Sequence, residues 1–107
     1  MPEGKTSAGN PSQSLWVLYM LRTADSRLYT GITTDLARRF AEHCQGGRRA
    51  AKAVRGRTPL QLVYSSTFDN RSRASVAEYR VKRLSRAAKE RLVAGDITIQ
   101  SILAGDD

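Results

Sequence analysis

Two tyrosines, one arginine and the only histidine of the chain recur at short, regular intervals in its first half. Tyr19, Tyr29 and Arg39 follow one another ten residues apart, and His43 comes four positions after Arg39. Residues four apart in an α-helix lie one above the other, so a helix would place Arg39 and His43 on one face. A guanidinium matches the geometry of a phosphate, and a phenol or an imidazole can bind or move a proton. The four residues therefore predict a site that handles a phosphodiester.

Each of these residues also has a plainer interpretation. Aromatic residues are common in strands, where Tyr19 and Tyr29 would only pack on a sheet. An unperturbed phenol has a pKa near about 10 and is a poor base at neutral pH unless a nearby cation assists it. An arginine or a histidine on a helix is often only a solvated surface residue. The residue types alone leave both interpretations open.

The elements that would position these residues are a hairpin and the helix after it. The apolar run at residues 15–21 has the length of a buried strand, and residues 27–33 predict a second strand. The polar residues 23–26 between them suit a reversing connection. Thr34 or Asp35 can then cap a helix. This order predicts that the tyrosines lie on neighbouring strands, close to the helix that carries the arginine.

The first helix is expected to have an apolar and a polar side. Leu36, Phe40 and Cys44 are spaced i, i+4, i+8 and predict the side that packs on the sheet. Cys44 is therefore expected to be a small core residue. The polar side would carry four residues: Arg38, Arg39, Glu42 and His43.

A single cysteine excludes an intramolecular disulfide and a cysteine-rich metal site.

The second half of the chain predicts one more strand and further helices. Residues 60–68 have the composition of a strand, and residues 72–84 have apolar positions at helical spacing. Ser85 can cap another helix at residues 86–94, while residues 97–103 fit either a short strand or a last helical turn. The fold class is therefore α/β (α+β), with a small three-stranded sheet, expected to be antiparallel, and helices packed on it.

The composition divides the chain into three parts. Residues 1–13 are rich in glycine, proline, serine and threonine and are expected to form a disordered lead. Residues 14–95 are expected to form one domain, and residues 96–107 a short C-terminal tail. Because the first residues lack the apolar run of a secretory signal, we expect the protein in the cytoplasm and not at a membrane.

The charge of the chain favours a polyanionic partner. The formal net charge is +8 over 107 residues. A small protein this basic usually meets nucleic acid, although charge that only keeps the protein soluble is the alternative. A cluster after the first strands supplies candidates for contacts with backbone phosphates: Arg38, Arg48, Arg49, Lys52, Arg55 and Arg57.

The motif residues resemble those of a GIY-YIG nuclease domain. The resemblance rests on these positions: Tyr19, Tyr29-Thr30-Gly31, Arg39 and His43. The runs RTADSRLYTGITTDLARRFAEH and AEYRVKRLSRAAKERL are similar to the small stand-alone bacterial branch of that family, the YhbQ-like proteins. The resemblance covers residues 15–94 and implies a three-stranded antiparallel sheet flanked by helices. It also implies catalytic roles for the tyrosines, the arginine and the histidine, and a role for Glu78 as the ligand of Mg²⁺ or another divalent cation.

The implied activity is that of a metal-dependent endonuclease. It would hydrolyse phosphodiester bonds with low sequence specificity in DNA, which is favoured over RNA. The alternative is a basic module that binds nucleic acid on a nuclease-like scaffold without cleaving it. Many family members have an asparagine about a dozen residues after the metal-binding glutamate, where this chain has Lys89, Glu90 and Arg91. The plainer interpretation of Glu78 is a surface salt bridge to Lys82, four residues on.

Overall fold

The computed structural model describes residues 15–105, so the lead predicted at residues 1–13 lies outside the described residues. The elements in chain order are β1 Trp16–Arg22, β2 Leu28–Thr33, α1 Leu36–Gln45, β3 Gln61–Phe68, α2 Arg71–Lys82, α3 Arg86–Ala94 and α4 Ile99–Ala104. Between α1 and β3 the chain forms two short 3₁₀ turns, Gly47–Arg49 and Lys52–Val54. No helix in residues 15–105 is both long enough and apolar enough to cross a bilayer.

The three strands form one antiparallel sheet in which β1 lies between β2 and β3. This arrangement confirms the predicted fold class. In the register of β1 with β2, Tyr19 lies opposite Gly31, and Leu21 lies opposite Tyr29. Because successive side chains alternate between the two faces of a sheet, these four residues share one face.

The opposite face of the sheet packs against α2, α3 and α4. Six residues, each at most 3% exposed, form this core: Leu18, Met20, Ala77, Val81, Leu92 and Ile99. Residues 97–103 were compatible with a strand or a helix, and they contribute a helix that begins with a capping box between Thr98 and Ser101. Helix α4 therefore packs on the core through Ile99, although it lies within the tail predicted at residues 96–107.

Side-chain caps define where the helices begin. The Asp35 carboxylate accepts from the backbone N–H of Arg38 at 3.1 Å, and the Ser85 hydroxyl starts α3 in the same way. Both residues were predicted caps. Helix α2 begins at Arg71, one residue before the predicted start, because the Asn70 side chain caps it and accepts from a backbone N–H at 2.9 Å.

The predicted sides of α1 are wrong in one respect. His43 is completely buried and Cys44 is exposed, whereas the spacing predicted the reverse. With 3.6 residues per turn, a residue seven positions on returns to within about 20° of the starting direction, and one eight positions on does not. The buried side therefore runs through Leu36, Phe40 and His43. This rotation turns the histidine toward the tyrosine face of the sheet.

Candidate active site

Tyr19 lies under the surface and crosses the neighbouring strand. It is 1% exposed, and its ring passes over Gly31. A Cβ atom on Gly31 would lie 2.5 Å from the Tyr19 hydroxyl oxygen and 2.7 Å from Cζ, well inside van der Waals contact. The glycine of the Tyr-x-Gly triplet therefore makes room for the side chain of Tyr19. The sequence did not predict which side chain approaches Gly31.

His43 joins α1 to the buried tyrosine. Its Nε2 lies 2.9 Å from the Tyr19 hydroxyl oxygen, and its Nδ1 accepts from the backbone N–H of Ala51 at 3.2 Å. A backbone N–H can only donate, so Nδ1 is unprotonated, and in the neutral ring Nε2 carries the hydrogen. Burial, assisted by the positive charge of Arg39, lowers the pKa of His43 and favours this neutral ring. His43 therefore donates to Tyr19.

Tyr29 is the outer tyrosine of the cluster. Its ring centroid lies 6.2 Å from that of Tyr19 and 5.4 Å from that of His43, which it meets nearly edge-on. Tyr29 is half-buried, whereas Tyr19 is buried. Burial and the adjacent Tyr29 raise the pKa of Tyr19, and the charge of Arg39 offsets only part of that rise. Tyr29 is thus the phenol that a ligand can reach.

Arg39 lies beside these rings at the end of a short network. One of its terminal nitrogens, Nη1, donates to the Glu42 carboxylate at 2.9 Å and to the backbone carbonyl of Arg49. The Arg39 side chain is 28% exposed, so solvent still reaches the guanidinium. The hydrogen bond from Arg39 lowers the pKa of Glu42, which keeps the carboxylate ionised. Glu42 was not among the predicted site residues, because its spacing to Arg39 fits any surface ion pair on a helix.

The predicted metal ligand lies on a helix that packs on the face of the sheet opposite the tyrosines. Glu78 is on α2, its side chain is 24% exposed, and its carboxylate pairs with Lys82 at 3.2 Å. The plainer interpretation, a salt bridge, is therefore confirmed as a contact. Across residues 15–105 no group of three or more histidine, cysteine, aspartate or glutamate side chains could hold a metal ion. A single carboxylate suits Mg²⁺ held mainly by water and substrate phosphates, and it does not suit a cage made only of protein ligands.

Glu90 has a structural role in the region where many family members have an asparagine. Glu90 accepts two hydrogen bonds from the Arg22 guanidinium, both at 2.8 Å, and a third from Arg86 at 3.0 Å. These bonds, with that from Arg22 the largest cause, lower the pKa of Glu90 to about 2. The bidentate pair fastens α3 to the end of β1. The Glu90 side chain therefore connects α3 to β1 through its two bonds to Arg22.

Residues 46–57, which we call the basic loop, lie against the cluster at one end and the hairpin at the other. Besides the contacts at Arg49 and Ala51, the backbone N–H of Ala24 donates to the carbonyl of Arg57 at 2.8 Å. The Arg57 guanidinium also pairs with Asp25 in the turn between β1 and β2. The loop is therefore held at both ends.

The predicted phosphate contacts divide into two groups. Arg55 donates to the carbonyls of Ala50 and Arg48, and Arg57 pairs with Asp25, so both stabilise the basic loop itself. The remaining four side chains are exposed near α1 and the loop: Arg38, Arg48, Arg49 and Lys52. These four present positive charge to solvent next to the tyrosine–histidine cluster.

A three-stranded sheet that brings two strand tyrosines to an arginine and a histidine of the following helix defines a catalytic domain of the GIY-YIG class. The family model of the GIY-YIG catalytic domain matches residues 15–91. The chain belongs to the GIY-YIG family.

Several relatives carry the name UPF0213. A UPF0213 protein of Cronobacter sakazakii is 52% identical over 87 residues, which are 81% of this chain and 90% of the relative. The UPF0213 protein YhbQ of Escherichia coli K12 is 56% identical over 79 residues, which are 74% of this chain and 77% of the relative. The solution NMR structure of a UPF0213 protein from Bacillus halodurans is 35% identical, with a TM-score of 0.51 over 87% of this chain and 97% of that chain. These relatives confirm the predicted family and its small bacterial branch.

Proposed function

We propose that this protein is a metal-dependent endonuclease that hydrolyses phosphodiester bonds in nucleic acid, DNA in preference to RNA, with low sequence specificity, and that it acts in the cytoplasm. The observation that carries the proposal is the assembly of a phenol, a neutral histidine and a guanidinium at one place. The Tyr19 hydroxyl and His43 Nε2 are 2.9 Å apart beneath the half-buried Tyr29, and Arg39 lies beside them. A core that needed only packing would not keep polar groups of this kind there.

We assign proton acceptance from the attacking water to Tyr29. Its ring is accessible, and the positive charge of Arg39 is nearby, whereas Tyr19 is 1% exposed. His43 donates from Nε2 and accepts from Ala51 at Nδ1, so neither nitrogen is open to a substrate. The buried pair Tyr19–His43 would therefore orient Tyr29 and supply a fixed donor network beneath it, as preorganised polar groups do in active sites.

Two residues on different helices would supply the contacts to the phosphate and to the metal. Arg39 donates from Nη1 to Glu42 and Arg49 and also bonds the Tyr19 hydroxyl, and its remaining donors would bind the non-bridging oxygens of the phosphate. Glu78 would hold the divalent cation through its carboxylate, with water completing the coordination. When bound, such a cation supplies a Lewis acid that stabilises charge on the phosphate and the leaving oxygen.

The low sequence specificity follows from the kind of surface around the cluster. Four exposed side chains carry positive charges that suit backbone phosphates: Arg38, Arg48, Arg49 and Lys52. Phosphate contacts fix the position of a strand but carry no direct information about its bases. We therefore expect affinity for nucleic acid to depend on length and salt much more than on sequence.

The test compares cleavage with and without metal. Purified protein is incubated with plasmid DNA and with a structured RNA, in Mg²⁺ or in EDTA, alongside Arg39→Ala and the control Arg91→Ala on the exposed side of α3. We expect nicking that requires Mg²⁺, disappears in Arg39→Ala and persists in Arg91→Ala. Cleavage that persists in Arg39→Ala would contradict the proposal.

The second candidate is a module that binds nucleic acid without cleaving it. It is favoured by one observation: in the region where many family members have an asparagine, Glu90 is bound to Arg22. In the same experiment, salt-sensitive binding without cleavage in Mg²⁺, Mn²⁺ or any other divalent cation would support this candidate and exclude the nuclease.

A further inference from the structure

Glu42 places a negative charge beside the proposed binding site of a negatively charged phosphate. Its side chain is 17% exposed, and its carboxylate lies next to Arg39, the group proposed to bind a phosphate. A carboxylate there repels a polyanion and weakens its binding. An ion pair on a helix contributes little to stability, so stability alone is a weak reason for this acid. The contacts of Glu42 indicate another reason.

The carboxylate fixes the plane of the Arg39 guanidinium. Each terminal nitrogen of a guanidinium has two hydrogens, and Nη1 of Arg39 uses one toward Glu42 Oε1 at 2.9 Å and the other toward the Arg49 carbonyl. These two acceptors, together with the bond to Tyr19, fix the orientation of the planar group. Without Glu42, the flexible Arg39 side chain would rotate, and the guanidinium would lose that orientation.

Glu42 also contacts Arg49, the residue whose carbonyl is the second acceptor for Arg39. Its other oxygen, Oε2, lies 3.8 Å from Nη1 of Arg49, whose own backbone carbonyl holds Arg39. One carboxylate thus contacts the guanidinium of Arg39 and the residue that supplies its other anchor.

We propose that Glu42 is a positioning residue, which holds the Arg39 guanidinium in the orientation that binds the reacting phosphate and does so at a cost in affinity for nucleic acid. The proposal rests on the proposed function. It differs from a purely structural role, because removal of Glu42 should slow the reaction and at the same time strengthen binding.

Two substitutions separate the charge of Glu42 from its hydrogen bond. Glu42→Ala removes both, so kcat should fall by about tenfold to a hundredfold, the usual effect of a small misplacement in an active site. The dissociation constant measured in EDTA should fall a few-fold because a negative charge is lost. Glu42→Gln keeps an oxygen that accepts from Arg39, so kcat should recover to within a few-fold of the parent while binding stays tighter. The control Asp96→Asn removes one exposed negative charge far along the chain and should leave kcat unchanged.

A measurement that needs no activity reports the orientation directly. The Nε–Hε resonance of Arg39 in ¹⁵N relaxation experiments should show an ordered side chain in the parent and in Glu42→Gln, and a mobile one in Glu42→Ala. Equal order in all three proteins, or equal kcat in Glu42→Ala and the parent, would overturn the proposal. If the parent itself does not cleave nucleic acid, the proposed function fails, and the relaxation result still decides whether Glu42 orients Arg39.

Discussion

The contact between Gly31 and Tyr19 makes Gly31→Ala an informative substitution. The new Cβ would lie 2.5 Å from the Tyr19 hydroxyl oxygen, and ordinary contact begins near 3.4 Å, so the tyrosine must retreat by about 1 Å. The space around it is filled, since Tyr19 is 1% exposed. A retreat of that size breaks or distorts the 2.9 Å bond to His43.

The expected loss of stability can be worked from these contacts. An extra carbon forced into a packed core costs about 1–3 kcal/mol, and a buried polar group left without its partner costs about 1–3 kcal/mol. Replacing glycine in a strand returns roughly 0.5–1 kcal/mol. We therefore expect Gly31→Ala to lower the free energy of unfolding by about 1–5 kcal/mol, measured by urea unfolding, and to abolish cleavage by displacing the cluster.

A double-mutant cycle shows whether the ring is the cause. In a Tyr19→Leu background the clash is absent, so adding Gly31→Ala should cost at least about 2 kcal/mol less than it costs in the parent. An equal penalty in both backgrounds would refute the reasoning, because the glycine would then serve the backbone of β2 and not the neighbouring side chain.

Three further predictions concern the hydroxyls, the histidine and the carboxylate. Tyr29→Phe should abolish cleavage with little effect on stability, whereas Tyr19→Phe should lower the free energy of unfolding by about 1–3 kcal/mol because buried His43 loses its acceptor; equal effects of the two changes on urea unfolding would contradict the assignment. Burial lowers the pKa of His43 below its ordinary value near 6.5, so the unfolded chain takes up the proton first as the pH falls. The free energy of unfolding should therefore decrease from about pH 6.5 downward in the parent and remain level in His43→Gln, which urea titrations at about pH 7.5 and 5.5 can check. Glu78→Gln should lose metal-dependent cleavage, keep or strengthen binding in EDTA and change the free energy of unfolding by under about 1 kcal/mol; cleavage like the parent's would show that this carboxylate does not hold the metal.

Local sequence signals were sufficient for the framework of the site. The turn at residues 23–26 fixes the register of the hairpin, and the register alone sets Tyr19 against Gly31. The caps at Asp35 and Ser85 act within three residues of themselves, so their chemistry can be read from the sequence. Features of this kind depend on neighbours along the chain and need no knowledge of the tertiary fold.

The interior of the site depends on contacts that no spacing specifies. The choice between His43 and Cys44 for the buried side of α1 rests on a rotation of the helix by one residue, and a polar histidine is not favoured there until Tyr19 and Ala51 supply its partners. The same is true of Arg55 and Arg57. Their charges resemble those of Arg48, but the path of the basic loop determines that they stabilise the protein itself.

The donor at Ala51 has a consequence for how this site can evolve. A backbone amide, which every residue except proline provides, determines which nitrogen of His43 carries the hydrogen. The side chain at position 51 can therefore change without a chemical effect on the ring. Proline is the exception: Ala51 has φ −61°, which proline can adopt, but the proline ring carbon would replace the hydrogen that points at His43 Nδ1, 3.2 Å from the backbone nitrogen. Such a change would remove the donor and press on the buried imidazole, so it would disturb the bond between His43 and Tyr19. Through its backbone alone, position 51 thus controls which nitrogen of His43 carries the hydrogen.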